Sequence, residues 1–214
     1  MKLQHGCSLC LSEAEFFWRY DSKDYYECPE CQAVFLAAEF HPEQQAELQR
    51  YQLHQNDVND VDYQNFVKPL VQAIQTDFSV NNEGLDFGCG SGPVATKLLR
   101  DEEYQVKVYD PYFFNIPENL DFKYDFIICC EVIEHFYQPR IEFELLFDLL
   151  NPDGKLYAKT SLIDTKIKMD FNNWGYKNDP THVFFYTPET LTWIKKQFGF
   201  ANLKLHKDFF VLEK

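Results

Sequence analysis

Residues 131–135 read Glu-Val-Ile-Glu-His, with two carboxylates and an imidazole at i, i+3 and i+4. If a helical turn begins there, Glu131, Glu134 and His135 share one face. Such a trio can hold a divalent ion through oxygen and imidazole, act as a general base, or simply line a pocket. A second constellation is Cys7-x2-Cys10 and Cys28-x2-Cys31, separated by the 17 residues 11–27. Each Cys-x2-Cys turn brings two sulfurs within reach of one ion, and an intervening hairpin returns the chain to offer the second pair. Zinc suits four soft thiolates, with iron as the alternative. Four protein ligands close the coordination sphere, so the ion would be structural rather than catalytic.

The third constellation is Asp86-Phe-Gly88-Cys89-Gly90-Ser-Gly92, followed by Pro93. Glycines let a backbone turn tightly and approach a ligand without a Cβ in the way. The dinucleotide pattern G-x-G-x-x-G holds a pyrophosphate at a helix N-terminus, but here Pro93 stands where its third glycine would fall. Asp86, two positions before the first glycine, would repel a pyrophosphate and favour a cation. S-adenosylmethionine carries a sulfonium and an ammonium and no phosphate, so the charge pattern selects it over NAD. Asp110, at the end of the next predicted strand, can accept hydrogen bonds from both hydroxyls of a ribose.

Together D-x-G-x-G-x-G and the strand-end Asp110 resemble the first two motifs of class I S-adenosylmethionine-dependent methyltransferases, over residues 84–212. The resemblance implies a Rossmann-like sheet ending in an antiparallel hairpin. It also implies a cofactor site formed by Asp86, Gly88, Cys89, Gly90, Gly92, Asp110 and Glu131. Residues 131–135 are similar to the E-x-x-E-H segment of ubiquinone-pathway O-methyltransferases and of small-RNA terminal 2′-O-methyltransferases, where it binds a divalent metal. In both groups a further histidine follows the next strand, and His182 occupies that place. The implied catalytic set is therefore Glu131, Glu134, His135 and His182, with magnesium or manganese as the implied ion. One departure stands out. The chain between Asp110 and Tyr124 is short, and Asp121 is its one candidate for the acidic adenine contact that usually follows a third strand.

These side chains need elements to position them. Residues 42–55 lack glycine and read as a helix, an Asn/Asp-rich stretch at 56–62 breaks it, and Phe66, Leu70, Ile74 and Phe78 recur every fourth residue as a second helix. Strands are then predicted at 84–87, 105–109, 124–130 and 155–160, and helices at 94–100 and 141–150. A helix at 188–198 and a hairpin at 201–212 close the chain. Alternation of this kind implies a parallel sheet covered on both faces. The expected organisation is an α/β fold: a zinc ribbon at 1–38, a helical linker at 39–80 and the cofactor domain at 81–214. Residues 172–176, with Trp174 and Tyr176, lie in a loop over the strand ends. They would either close over an acceptor or pack the loop down.

The 214 residues carry 34 acidic against 20 basic side chains, a formal charge of −14. That field opposes nucleic acid and acidic membranes and leaves a small-molecule acceptor as the expected partner. No stretch resembles a signal peptide or a membrane span, so a cytosolic location is expected, where paired cysteines more often bind metal than form disulfides. The leading reading is methyl transfer to a small molecule, with O-methylation as one form of it. A metal-dependent RNA ribose methyltransferase and a non-catalytic cofactor-binding adaptor that recruits a protein partner through the ribbon are the alternatives.

Overall fold

The computed structural model describes residues 5–53, 57–163 and 168–214. Four strands, β1 (His5–Gly6), β2 (Glu13–Tyr20), β3 (Lys23–Glu27) and β4 (Val34–Leu36), form an antiparallel meander. The two cysteine turns fill its β1–β2 and β3–β4 connections and close alike. Leu11 N–H donates to the Cys7 carbonyl at 2.9 Å and Gln32 N–H to the Cys28 carbonyl at 2.8 Å. Leu11 and Gln32 both adopt left-handed φ, at 66° and 58°, as tight knuckles demand.

The chain then forms α1 (Gln44–Leu53), α2 (Val61–Asp77), β5 (Glu83–Phe87), α3 (Val94–Asp101), β6 (Gln105–Tyr109) and β7 (Tyr124–Cys130). It continues through α4 (Pro139–Leu149), β8 (Leu150–Lys159), α5 (Lys168–Asn173), β9 (Phe184–Phe185), α6 (Pro188–Phe198), β10 (Asn202–Leu205) and β11 (Phe210–Glu213). Six strands make the main sheet in the order β10-β11-β8-β7-β5-β6. β6, β5, β7 and β8 run parallel, while β11 and β10 return antiparallel, as expected for the terminal hairpin. From β5 the chain goes outward to β6 and then crosses to the other side for β7. That switch opens a crevice at the carboxyl ends of these strands, where ligands bind in open α/β sheets.

Local sequence explains the placement. Asp60 caps α2 by accepting from the N–H groups of Asp62 and Tyr63, and Val67, Leu70, Val71 and Ile74 bury its i, i+3, i+4, i+7 stripe. Phe143, Leu146 and Leu149 bury one face of α4, each contributing on the order of 1.5–3 kcal/mol of transfer free energy. Gly84 lets β5 pass its neighbour, since a Cβ there would lie 2.0 Å from the Phe126 ring. Between β6 and β7 there is no third parallel strand. A short 3-10 helix, Pro117–Asp121, occupies the connection and leaves β6 at the sheet edge.

β9 does not join the main sheet. It pairs with β4, Val34 opposite Phe185 and Phe35 opposite Phe184, and so becomes the fifth strand of the N-terminal sheet. The buried core runs on accordingly from Leu9, Phe17 and Tyr25 through Phe184 and Tyr186 to Ile127 and Leu156. Among the described residues no helix is long and apolar enough to cross a membrane.

Candidate functional site

A cavity of about 860 Å³ opens at the carboxyl ends of β5, β6 and β7. Gly88, Cys89, Gly90 and Ser91 form part of its floor. Gly88 has φ +73°, and a Cβ there would lie 2.5 Å from Val132, so only glycine allows both the turn and the close packing. Gly92 lies outside the wall and accepts from the Val94 N–H at the start of α3. Cys89 faces the cavity, with burial raising its thiol pKa above the ordinary value.

The two acids of this region do different work. Asp86 is buried and not in the cavity wall. Its Oδ2 accepts from Thr96 Oγ1 at 2.7 Å, and burial pushes its carboxyl up to about 6, so it could act on a ligand only through its field. Asp110 is in the wall. Its Oδ2 accepts from Gly90 N–H at 2.9 Å and its Oδ1 from the N–H groups of Tyr112 and Phe113, which fixes the glycine loop to the end of β6. Oδ1 thus has both lone pairs engaged, and Oδ2 keeps one for a ligand hydroxyl. Asp121 is exposed and not in the wall, so the acid expected after a third strand is not at this site.

Glu131, Glu134 and His135 do not share a helical face. Glu131 follows β7 in the left-handed region, φ 54°, and the turn beyond it is a 3-10 helix over Ile133–His135. The side chains nevertheless converge. Tyr176 Oη stands 2.5 Å from Glu134 Oε1, 3.0 Å from Glu131 Oε2 and 3.1 Å from Thr160 Oγ1. His135 Nε2 and His182 Nε2 each lie 3.9 Å from Glu134 Oε1. His135 Nδ1 bonds the Thr181 carbonyl at 2.9 Å and His182 Nδ1 the Tyr176 carbonyl at 2.6 Å. A carbonyl only accepts, so both rings carry a proton on Nδ1 and turn Nε2 toward Glu134. Burial lowers the pKa of His182, which favours its neutral form. Burial and the nearby Glu134 charge push the Glu131 carboxyl up to about 7. Glu134 is fully buried and likewise raised by burial, and its Oε2 has no hydrogen-bond partner.

Glu134, His135 and His182 thus offer three ligand atoms within 4.8 Å of one another, while Glu131 belongs to the cluster only through Tyr176. His135 also lines the cavity, which joins the cluster to the crevice. Trp174 serves packing. Its ring meets Phe171 and Phe185, and its Nε1 donates to Ser161.

At the N-terminus Cys7, Cys10, Cys28 and Cys31 converge, again with all four sulfurs within 4.8 Å. Cys7 and Cys31 sulfurs are 3.6 Å apart and Cys10 and Cys28 sulfurs 3.2 Å, too long for disulfides. Tetrahedral zinc with about 2.3 Å bonds spaces its sulfurs by roughly 3.8 Å, so the set fits with a small outward shift.

Part of the cavity wall escaped the sequence reading. Glu47 and Tyr51 of α1, Tyr63 and Phe66 of α2, and Tyr112 and Tyr137 all face it. Tyr51 and Tyr112 donate to the two oxygens of Glu47, at 2.9 and 2.6 Å. The i, i+4 spacing of Glu47 and Tyr51 was visible, but the partner in residue 112 depends on the fold. Arg50 secures α1 from outside by donating twice to Asp179.

A methyltransferase-domain family matches residues 60–205 of the chain. No curated protein matches the sequence. Among solved structures, an O-methyltransferase family protein from Burkholderia thailandensis superposes with a TM-score of 0.51 at 12% identity, over 69% of this chain and 55% of that one. Human N-acetylserotonin methyltransferase gives 0.56 at 15% identity, over 79% and 57%. A 1,6-didemethyltoxoflavin-N1-methyltransferase from Burkholderia thailandensis gives 0.54 at 13%, over 95% and 99%. The chain thus spans little more than half the length of the first two, and at these identities the likeness concerns the fold.

Proposed function

The chain belongs to the methyltransferase-domain family, and on that premise we propose that it moves the methyl group of S-adenosylmethionine to a small-molecule acceptor bound in the cavity. The observation that carries this reading is the composition of the wall. Among the described residues it holds Glu47, Asp110, Glu131 and Glu142 but no Lys or Arg. A pyrophosphate would find no counter-charge there, whereas a sulfonium and an ammonium would. Asp110 would accept from a ribose hydroxyl on Oδ2, and Gly88–Ser91 would allow close approach of the amino-acid end.

S-adenosylmethionine would supply an electrophilic methyl, which leaves with its bonding electrons remaining on sulfur as the acceptor lone pair forms the new bond. The protein contributes orientation, which can lower such a barrier by several kcal/mol. The aromatic faces of Tyr51, Tyr63 and Phe66 suit a planar acceptor and keep water out. Glu131, raised to about 7, can take the acceptor's proton on its carboxylate.

A specific observation favours a divalent ion beside this site. Two imidazoles oriented through Nδ1 by the Thr181 and Tyr176 carbonyls, and a buried carboxylate with an orphaned oxygen, make a ligand set suited to a metal. Glu134, His135 and His182 would hold it, with manganese or magnesium lowering the pKa of an acceptor hydroxyl and so favouring O-methylation. The cysteine set would hold a structural zinc, and the ribbon offers a face for a protein partner. Reduced cysteines in this number suit a cytosolic location.

Calorimetry tests the reading. S-adenosylhomocysteine is expected to bind at low micromolar affinity, about −8 kcal/mol, and NAD not measurably. Tighter binding of NAD would overturn it. A small RNA is the rival acceptor; salt-dependent binding of RNA at micromolar concentration would favour it over a small molecule.

A further inference from the structure

α1 forms part of the cavity wall, yet apolar burial does not hold it there. Of its ten residues only Glu47 is buried, and Leu53 stands 73% exposed. A helix of this length is ordinarily docked by packing of an apolar stripe. Here polar ties replace the stripe. Tyr112 donates to Glu47 Oε2 at 2.6 Å on the cavity side, and outside it Arg50 donates to Asp179 Oδ2 from Nε at 3.0 Å and Nη2 at 2.7 Å.

The other oxygen of Asp179 is also engaged. Oδ1 accepts from Thr181 N–H at 3.0 Å and from Thr181 Oγ1 at 2.6 Å, while the Asp179 carbonyl accepts from His182 N–H at 3.1 Å. The Thr181 carbonyl fixed in this way is the acceptor for His135 Nδ1. Four donor contacts from two distant parts of the chain therefore converge on one carboxylate. Burial works against its charge, yet these donors hold the Asp179 carboxyl well below the usual carboxylate range. His135 also meets Tyr51 of α1 edge to face, with ring centroids 5.4 Å apart. It thus contacts both α1 and the turn that Asp179 ties to α1.

We propose that Asp179 is a positioning residue that couples the docking of α1 on the cavity to the orientation of His135, so that cavity wall and imidazole cluster form as one unit. Such coupling is reciprocal, because whatever fixes one side favours the other by the same factor. An ion held by His135 and His182 should therefore order α1, and loss of the Arg50 tie should weaken binding of the ion. Arg50 lies outside both the cavity wall and the cluster, so changing it reports on the tie alone. The assignment rests on the reading of this cavity and cluster as the site of methyl transfer.

The test combines hydrogen exchange with nuclear magnetic resonance on the full chain carrying isotope-labelled histidine. Without metal, wild type should show a His135 Nδ1–H signal that exchanges slowly with water, identified by its absence from His135→Gln. Arg50→Met should raise amide exchange in α1 by roughly tenfold or more and lose that imidazole signal. Arg50→Lys, which keeps a charged donor, should recover part of both effects, and Asp179→Ala, which also frees Thr181, should show both in full. Unaltered amide exchange in β5, β7 and β8 controls for folding. With manganese, α1 exchange should slow in wild type, and Arg50→Met should bind the ion roughly tenfold more weakly by electron paramagnetic resonance. Faster α1 exchange in Arg50→Met with the His135 signal intact would make the ion pair a staple for α1 alone and overturn the coupling. Unchanged α1 exchange, or a wild type without the His135 signal, overturns it too. A wild type that binds no manganese overturns the ion at Glu134 only, since the metal-free signals still decide the role of Asp179.

Discussion

The Tyr176 hydroxyl stands 2.5 Å from Glu134 Oε1 while its oxygen is also 3.0 Å from Glu131 Oε2. A hydroxyl has one proton, so it cannot donate to both carboxylates. A second proton or a cation must balance the pair, and the Nε2 atoms of His135 and His182, each 3.9 Å from Glu134 Oε1, offer such a cation two further ligands.

Tyr176→Phe therefore removes the donor and leaves the acids dependent on the ion. Without added metal the variant should lose about 1–3 kcal/mol of stability. Its melting temperature should also rise more with manganese than that of wild type, by the linkage of binding to folding. Equal responses in scanning calorimetry would refute a metal at Glu134. His182→Ala should cost much turnover with little effect on cofactor affinity.

Asp110→Ala removes the proposed ribose acceptor and releases Gly90, Tyr112 and Phe113 N–H groups together. S-adenosylhomocysteine should bind more weakly by roughly 1.5–3 kcal/mol, or about tenfold and more. Unchanged affinity by titration calorimetry would place the ribose elsewhere.

Cofactor affinity should rise with pH. Burial raises Asp86 from 3.8 to about 6, with Thr96 only partly opposing, so the free protein binds its proton more tightly folded than unfolded. Stability of the free chain should thus fall, on the order of 1–3 kcal/mol, as pH rises from about 4 to 6. A bound sulfonium favours the ionised carboxylate. Affinity for S-adenosylmethionine should climb between pH 5 and 6.5, and Asp86→Asn should flatten that rise. Glu131, raised to about 7, adds the same sign at higher pH. An affinity that falls over this range would contradict the charge argument.

Much of this was legible in the sequence because the signals were local. The glycine loop, the strand-end Asp110 and the terminal hairpin each depend on a few adjacent residues, and the structure shows them where turn chemistry and strand alternation put them. The helical turn expected at 131–135 was not realised. Glu131 takes a left-handed φ while its N–H bonds the Lys159 carbonyl, an extension of β7–β8 pairing that periodicity cannot reveal. Likewise the pairing of β4 with β9 spans about 150 residues of chain, and two phenylalanines carry no mark of the partner they will choose. Tyr112, Tyr51 and Glu47 meet only after α1 folds over the sheet.

That long-range pairing bears on what loss of a zinc from the four cysteines should do. Residues of the N-terminal sheet share one core with β7, β8 and α4. Cys28→Ser, or zinc removal, should lower the melting temperature of the whole chain in one transition rather than release the first 38 residues alone. One zinc per chain is expected by metal analysis. Iron, or two separate transitions by differential scanning calorimetry, would count against this.

The most direct test of methyl transfer to a small acceptor uses S-adenosylmethionine carrying a trideuterated methyl group. The full chain with manganese is incubated with a protein-free and nucleic-acid-free metabolite extract, and the products are weighed by mass spectrometry. The expected result is a low-molecular-weight compound that gains one labelled methyl, lost when Asp110→Ala replaces wild type. A chain that binds S-adenosylhomocysteine yet labels nothing in that extract, while labelling RNA or protein added in its place, would contradict the small-molecule assignment.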